Sequence, residues 1–311
     1  MLNFVYHPDY SYDFPDHHRF PMSKFFRLHR WLQDQGLLDQ VWVQSPDKAS
    51  IGDLSRVHDL AYVTAMADGS LSDAQLKRLR LPWTPELANR SFLAANGTYL
   101  TCQLAIQHGL ALHVAGGTHH SHREGGAGFC VFNDMAYATI RLLESAQVER
   151  VLILDTDVHQ GDGTAQILKG YPGSFTCSLH CQQNYPHPKA CSDLDVPIQK
   201  GCDDQGYLDI LERTLDLLLE RFAPDLVIYD AGADIHEHDQ LGLLQVSAEG
   251  MAQRDHLVFD RCIRDGIAVA GVIGGGYSAD REALVSLHGI PFRVAIENAG
   301  KWGLRLRKTV A

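Results

Sequence analysis

The sequence predicts an α/β fold, a mainly parallel β-sheet covered by helices on both faces. Three observations lead to this prediction. Short apolar runs alternate with helical stretches, the runs have no polar face, and loops rich in Gly, His and Asp follow them. Strands that are apolar on both sides are typical of parallel sheets buried between helices. The chain contains no repeat and no linker, so we predict a single domain over residues 1–311.

The elements follow one another in the order that such a sheet requires. Helices are predicted at residues 91–108, 133–146, 207–222 and 248–262, and strands at the apolar runs 110–115, 151–154, 175–179, 226–229 and 267–273. The loops after four of these strands span residues 116–128, 155–164, 230–242 and 274–279. Ligands of parallel α/β sheets bind beyond the carboxyl ends of the strands. We therefore expect the functional residues in these loops.

The composition is that of a folded protein and excludes several classes. Hydrophobic residues make up 45% of the 311 residues, and 27 Lys and Arg against 38 Asp and Glu give a net charge of −11. This acidic balance argues against a nucleic-acid partner, because proteins that bind nucleic acids usually have a basic surface. We find neither a run of about 18 apolar residues nor a signal-peptide pattern, so we expect no membrane association. The seven cysteines form no CxxC motif, which indicates reduced thiols in the cytoplasm.

The segment VLILDTDVHQGDGT at residues 151–164 is a candidate metal site. Alternate residues of an extended chain share a face, so Asp155, Asp157 and His159 could point the same way. Burying such groups together is costly unless a cation compensates them. Zinc accepts Asp oxygen and His nitrogen and uses three protein ligands in catalytic sites. The alternative is that these residues act only as turn formers and caps of a helix at 162–169.

A further ligand candidate follows the strand at 226–229. Asp234 comes after Ala-Gly-Ala, whose small side chains allow the backbone to approach a site closely. Asp230 and Asp239 lie in the same segment. We interpret both as turn-forming residues.

The third loop carries two adjacent histidines, His119 and His120, after a Gly-Gly turn. Imidazole acts as a base and imidazolium as an acid near neutral pH. Such a pair needs partners that fix its tautomers, and Asp155 and Asp162 are the natural candidates. The alternative is a solvated His-rich loop, and we apply that interpretation to His113 and His122.

The fourth loop, VIGGGYSAD at residues 272–280, places Tyr277 after three glycines. The sharp turn could project its hydroxyl into a site, where it would donate a hydrogen bond to a developing oxyanion. A Gly-rich loop can also cradle phosphate. The chain has neither GxGxxG nor GK[ST] here, so we do not expect nucleotide binding.

Taken in this order, each after an apolar strand, the motifs resemble those of the histone deacetylase family of metal-dependent amidohydrolases, which have the arginase–deacetylase fold. The resemblance extends from HRFPMSK at 18–24 to GGGY at 274–277, and it is carried by HHSHREGGAGFCVFND, DTDVHQGDGT and AGADIHEHDQLG. Gln160 stands where many members have a second His, and Lys24 where many have an Arg. Together with NYPHPKACSDLDV at 184–196, the Gln160 departure resembles the class IV branch and its bacterial relatives.

The resemblance implies a role for each matching residue. The implied zinc ligands are Asp157, His159 and Asp234, a set that also suits Fe(II). His120 is the implied proton shuttle and His119 its electrostatic partner, with Asp155 and Asp162 behind them and Tyr277 polarising the substrate carbonyl. The implied walls of an acyl-lysine tunnel are Gly128, Phe129 and Tyr185. A structural potassium ion is implied near Asp155, Asp157, His159, Ser178 and Leu179.

The implied reaction is removal of an acyl group, acetyl or longer, from the ε-amine of lysine. An acetylpolyamine or another small amide is an alternative substrate, and the acidic chain suits cationic substrates of either kind. A binuclear manganese ureohydrolase is a rival of the same fold, but Gly161 and His236 stand where its extra carboxylates would be needed. A non-catalytic acyl-lysine or metal-binding protein would have no need of a proton shuttle. Acyl length, physiological metal and oligomeric state stay open.

Overall fold

The structure is a computed structural model that describes residues 1–15 and 18–306. The strands are β1 (Asn3–Val5), β2 (Trp42–Gln44), β3 (Leu110–His113), β4 (Val151–Asp155), β5 (Ser174–Cys181), β6 (Leu194–Ile198), β7 (Leu226–Asp230) and β8 (Ala268–Val272). The helices are α1 (Lys24–Asp34), α2 (Ile51–Leu54), α3 (Leu60–Asp68), α4 (Asp73–Leu79), α5 (Pro85–His108), α6 (Asp134–Glu144), α7 (Asp162–Ile167), α8 (Asp204–Arg221), α9 (Ala248–Arg264), α10 (Arg281–His288) and α11 (Ile290–Lys301).

The eight strands form one sheet in the order β2-β1-β3-β8-β7-β4-β5-β6, and every pairing is parallel. The predicted parallel sheet is therefore confirmed. Every residue of β4, β7 and β8 is buried, so both faces of the sheet centre are covered. Helix α5 packs on β3 and β8 and against α6, while α9 packs on β8 and against α8 and α11.

The position of the site follows from the strand order. The four loops that carry candidate residues come after β3, β8, β7 and β4, which are consecutive neighbours in the sheet. Because the strands are parallel, all four loops leave the same edge. Residues far apart in sequence are thereby brought together.

Local capping explains where several helices begin. Thr84 accepts a hydrogen bond from the backbone N–H of Leu87, and Pro85 occupies the first turn, so α5 starts before the predicted residue 91. Asn133 caps α6 and Ser247 caps α9 in the same way.

Strand β1, the edge strands β2 and β6, and the N-terminal helices are absent from the elements that the sequence predicts. The first two strands have only three residues each, too few to show a pattern. Strand β6 is half-buried and contains Pro197, which is tolerated at an edge. In the described part of the chain, no helix is both long and apolar enough to traverse a bilayer.

Candidate active site

Asp157, His159 and Asp234 converge beyond the ends of β4 and β7. Nδ1 of His159 lies 3.0 Å from Oδ1 of Asp157 and 3.1 Å from Oδ2 of Asp234. One ligand atom from each residue lies within 4.8 Å of the others, and all three side chains are buried. The structure thus brings together the three residues that the sequence predicts as metal ligands.

Backbone donors hold both carboxylates of this group. Gly275 N–H donates to Oδ2 of Asp157 at 2.7 Å, and Val158 N–H donates to Oδ1 of Asp234 at 2.9 Å. A Cβ on Gly275 would overlap with Oδ2 of Asp234, so only glycine allows this approach.

The chemistry of this donor set fits a divalent cation. Burial, and then the charge of Asp157, raises the pKa of Asp234 to about 7. A cation would relieve this repulsion between buried carboxylates. Two oxygens and one nitrogen form a set found in catalytic zinc sites. His159 also lines a surface pocket, so a cation here would be open to a substrate on that side.

The two adjacent histidines are each held by a different carboxylate. Nδ1 of His119 lies 2.8 Å from Oδ2 of Asp155, and Nδ1 of His120 lies 2.6 Å from Oδ1 of Asp162. Their rings are 4.1 Å apart between centroids, and both are buried. The two carboxylates are those that the sequence predicts as partners of this pair, and Nε2 of His119 lies 3.8 Å from Oδ1 of Asp157.

The surroundings of His119 and His120 favour opposite charge states. Burial tends to lower the pKa of His119, but the carboxylates of Asp155 and Asp157 raise it well above its ordinary value. Burial, together with the positive charge of His119, lowers the pKa of His120 to about 4. The surroundings thus favour the charged form of His119 and the neutral form of His120.

A pocket of about 420 Å³ leads from the surface to this group. The predicted tunnel residues Gly128, Phe129 and Tyr185 all line it, together with Tyr277. The Phe129 and Tyr277 rings are 5.9 Å apart between centroids. Tyr185 is 41% exposed at the mouth. Three aromatic side chains, those of Phe129, Tyr185 and Tyr277, thus form part of the pocket wall.

The part of the pocket wall formed by Gly128 and Phe129 has a backbone with positive φ at both residues. Phe129 has a φ of 70°, which costs free energy for a residue with a side chain. Gly128 has a φ of 53°, and a Cβ at this position would lie 2.8 Å from Cδ2 of His120. A larger residue at position 128 would therefore clash with the ring of His120.

Comparison with known proteins decides the family. The histone deacetylase domain pattern matches residues 18–288. The chain belongs to the histone deacetylase family. Its α/β architecture agrees with the arginase–deacetylase fold, and it is a hydrolase that acts on amide bonds.

Relatives extend across bacteria and plants. An uncharacterised protein of Picosynechococcus sp. is 45% identical over 291 residues, covering 94% of this chain and 97% of the relative. Histone deacetylase 2 of Arabidopsis thaliana is 30% identical, covering 92% and 75% respectively. The acetoin utilization protein AcuC of Bacillus subtilis is also 30% identical, covering 88% and 77%.

Two further histidines of this deacetylase-family chain are wrongly predicted to be solvated. His122 is buried, with Nε2 3.0 Å from Oδ2 of Asp162 and Nδ1 2.7 Å from Oε1 of Gln166. His113 is buried on β3, where it contacts the hydroxyls of Tyr10 and Thr98. The Asp162 carboxylate is therefore shared by two histidines, an arrangement that the spacing alone does not reveal.

The turn prediction is confirmed for Asp239 and wrong for Asp230. Oδ1 of Asp239 accepts hydrogen bonds from the N–H groups of Leu241 and Gly242, and Oδ2 accepts one from Tyr277 N–H at 2.6 Å. Asp230 ends β7, and neither of its buried oxygens has a hydrogen-bond partner among the described residues. Burial, and then the charge of Asp155, raises the pKa of Asp230 well above its ordinary value.

Gln160 and Lys24, the two departures from the family pattern, have structural contacts. The Gln160 side chain donates to Ala190 O and Asp195 Oδ1 and accepts from Ala190 N–H, which fixes the segment after Tyr185. Lys24 is buried and donates through Nζ to Gly274 O at 2.9 Å. Both residues therefore form hydrogen bonds that hold loops of the site in place.

Two of the five residues of the predicted potassium site are neighbours across the sheet. Asp155 on β4 is paired in register with Ser178 on β5, and Leu179 follows Ser178.

Sequence reasoning misses one feature of the pocket, the positive charge at its mouth. Four cationic residues line this mouth: Arg19, Lys77, Arg78 and Arg80.

Proposed function

We propose that this chain removes an acyl group from the ε-amine of lysine, with Asp157, His159 and Asp234 holding a zinc ion. The observation that carries the proposal is the convergence of these ligands with two carboxylate-held histidines at the inner end of an aromatic-walled pocket. Bound there, zinc would lower the pKa of a water molecule and polarise the substrate carbonyl. Iron(II) would suit the same ligands.

His120 would move the protons of the reaction. As the neutral member of the pair, it can accept a proton at Nε2 from the attacking water, while Asp162 holds Nδ1. It would then deliver this proton to the leaving amine. His119, positively charged and held by Asp155, would stabilise negative charge that develops nearby.

Tyr277 would donate its hydroxyl hydrogen to the substrate oxygen as negative charge develops on it. Burial, and then the charge of Asp157, raises the pKa of this phenol well above its ordinary value, so it stays protonated. The hydrogen bond from Tyr277 N–H to Asp239 holds its backbone beside the pocket. Gly128, Phe129 and Tyr185 would enclose the lysine side chain.

Three further parts belong to this proposal. A structural potassium ion would lie against β4 and β5, held by Asp155, Asp157, His159, Ser178 and Leu179. The whole chain would form one catalytic domain. A cytoplasmic location would keep the seven cysteines reduced, in agreement with their free state in the structure.

The experiment is a substrate panel with the zinc-loaded protein. The panel contains lysine peptides whose acyl groups run from acetyl to a long fatty chain, and acetylpolyamines as small amides. We expect amine release from at least one acyl-lysine peptide. Amine release from acetylpolyamines alone would show that the substrate is a small amide and not acyl-lysine. No amine release with zinc demonstrably bound would contradict the proposal.

A further inference from the structure

The mouth of the pocket is positively charged although the chain is acidic. Arg19, Lys77, Arg78 and Arg80, here called the basic rim, are all exposed. Among the residues that the structure describes, no Asp or Glu lines this pocket. The net charge of the chain is −11, so the local charge at the mouth has the opposite sign.

The basic rim is fixed to the wall of the pocket. Helix α4 begins with a capping box between Ser72 and Gln75, and it ends with Lys77 and Arg78 in its last turn. Gly128 N–H then donates to Arg78 O at 3.3 Å, and Phe129 N–H donates to Leu79 O at 3.0 Å. The end of α4 and the tunnel wall thus form one connected backbone unit. The backbone that carries Lys77, Arg78 and Arg80 is therefore tied to the pocket wall.

Most of the charge on the basic rim is not neutralised within the chain. Arg78 lies 3.7 Å from Glu124, and both side chains are exposed, so this ion pair is weak. Within the described residues, Lys77 and Arg80 have no carboxylate within 4.0 Å. Arginine binds carboxylates through two parallel hydrogen bonds, which makes it well suited to an acidic partner.

We propose that this deacetylase selects acyl-lysines that are flanked by Asp or Glu. This inference rests on the proposed function, because it supposes that a lysine side chain enters the pocket. Neighbouring residues of the substrate would then lie at the basic rim, within the screening length of about 8 Å at physiological salt. Acidic flanks are attracted there, whereas acetylpolyamines and Lys- or Arg-rich tails are repelled. The net charge of the whole chain favours the opposite choice, but the mouth is nearer to the substrate.

A set of three peptides tests this selection. They share one acyl-lysine and one length, and their flanking residues are Asp and Glu, Ser and Gly, or Lys and Arg. We expect kcat/KM to fall in that order, with about 10-fold or more between the two charged flanks, because complementary fields raise association rates by roughly 10- to 1000-fold. The difference should shrink at about 1 M salt, where the screening length is about 3 Å.

Charge variants locate the effect at the basic rim. The double variant Lys77→Glu with Arg80→Glu should lose or reverse the preference, and Lys77→Gln with Arg80→Gln should weaken it without adding repulsion. The control is Arg150→Glu, since Arg150 is exposed and precedes β4 at the opposite edge of the sheet. Arg150→Glu should keep the wild-type ratio of kcat/KM between the peptides with acidic and basic flanks. Thermal unfolding of each variant establishes that it is folded.

The outcomes separate this inference from the proposed function. Cleavage of all three peptides at equal kcat/KM would overturn selection by the basic rim and leave the deacylase proposal standing. A preference that the double variants retain would also overturn it. If no peptide is cleaved while zinc is bound, the proposed function falls, and the selection falls with it.

Discussion

Nδ1 of His120 lies 2.6 Å from Oδ1 of Asp162, and both side chains are buried. Asp162 is the first residue of α7, so the position of a helix sets the orientation of the imidazole. The second oxygen of the carboxylate is occupied by His122, which restrains Asp162 from the other side. The proposed proton shuttle is therefore positioned by a small buried network.

We predict that Asp162→Asn lowers kcat by about 10- to 100-fold, a part of the roughly 100- to 10,000-fold that a positioned proton donor or acceptor supplies. The amide keeps the shape of the carboxylate but loses its charge and one acceptor. His122→Gln is the comparison, because it removes a neighbour of Asp162 and leaves the contact with His120. Its loss should be smaller. Equal losses in the two variants, measured at equal zinc content, would contradict the assigned role of Asp162.

Tyr277→Phe should lower kcat by about 100- to 1000-fold, the usual cost of losing one oxyanion donor. The ring and its contact with Phe129 are retained, and the zinc content should not change. Steady-state kinetics together with metal analysis gives both numbers. Near-normal turnover would remove Tyr277 from the mechanism.

Gly275→Ala should weaken zinc binding by about 10- to 100-fold, which is typical when a group that supports the metal ligands is lost. The new methyl group would press on the carboxylates of both Asp157 and Asp234. Gly300→Ala is the matched control, since a Cβ there meets no atom within 4 Å. Competition with a chelator measures the affinity of each protein. Unchanged affinity in Gly275→Ala would show that these carboxylates do not hold the metal.

Gln160→Ala should destabilise the protein by about 1–3 kcal/mol, because the backbone N–H and C=O of Ala190 lose their side-chain partners. We also expect KM to rise, since the segment after Tyr185 loses its anchor. The control is the exposed Gln199→Ala in the neighbouring turn. Denaturant unfolding and steady-state kinetics follow the two effects. An unchanged KM would show that the segment does not need this anchor.

The sequence predicts the parts of this molecule that local pattern determines. Asp157 and His159 are two residues apart at the end of an apolar strand, so their common direction follows from the chain itself. The central strands can also be predicted from the sequence, because they are apolar on both faces. Asp234 is recognisable once the strands are assumed to be parallel.

What the sequence does not reveal depends on contacts between distant segments. His122 lies beside Asp162, 40 residues later, so its burial cannot be read from a His-rich loop. Asp is a common residue in turns, but Asp230 is buried at the end of strand β7. Lys77 and Arg80 line the pocket in a segment whose backbone is hydrogen-bonded to Gly128 and Phe129, about 50 residues later in the sequence. Net charge cannot show such a local reversal of sign.

The most direct test of the central claim is a zinc titration of the metal-free protein, with bound zinc and amine release from an acyl-lysine peptide measured in parallel. We predict that activity rises linearly and stops at one equivalent of zinc, because Asp157, His159 and Asp234 form one ligand set. Activity that rises until a second equivalent is bound would contradict a mononuclear site. A zinc site that is full at one equivalent without any amine release would contradict the proposed deacylase activity.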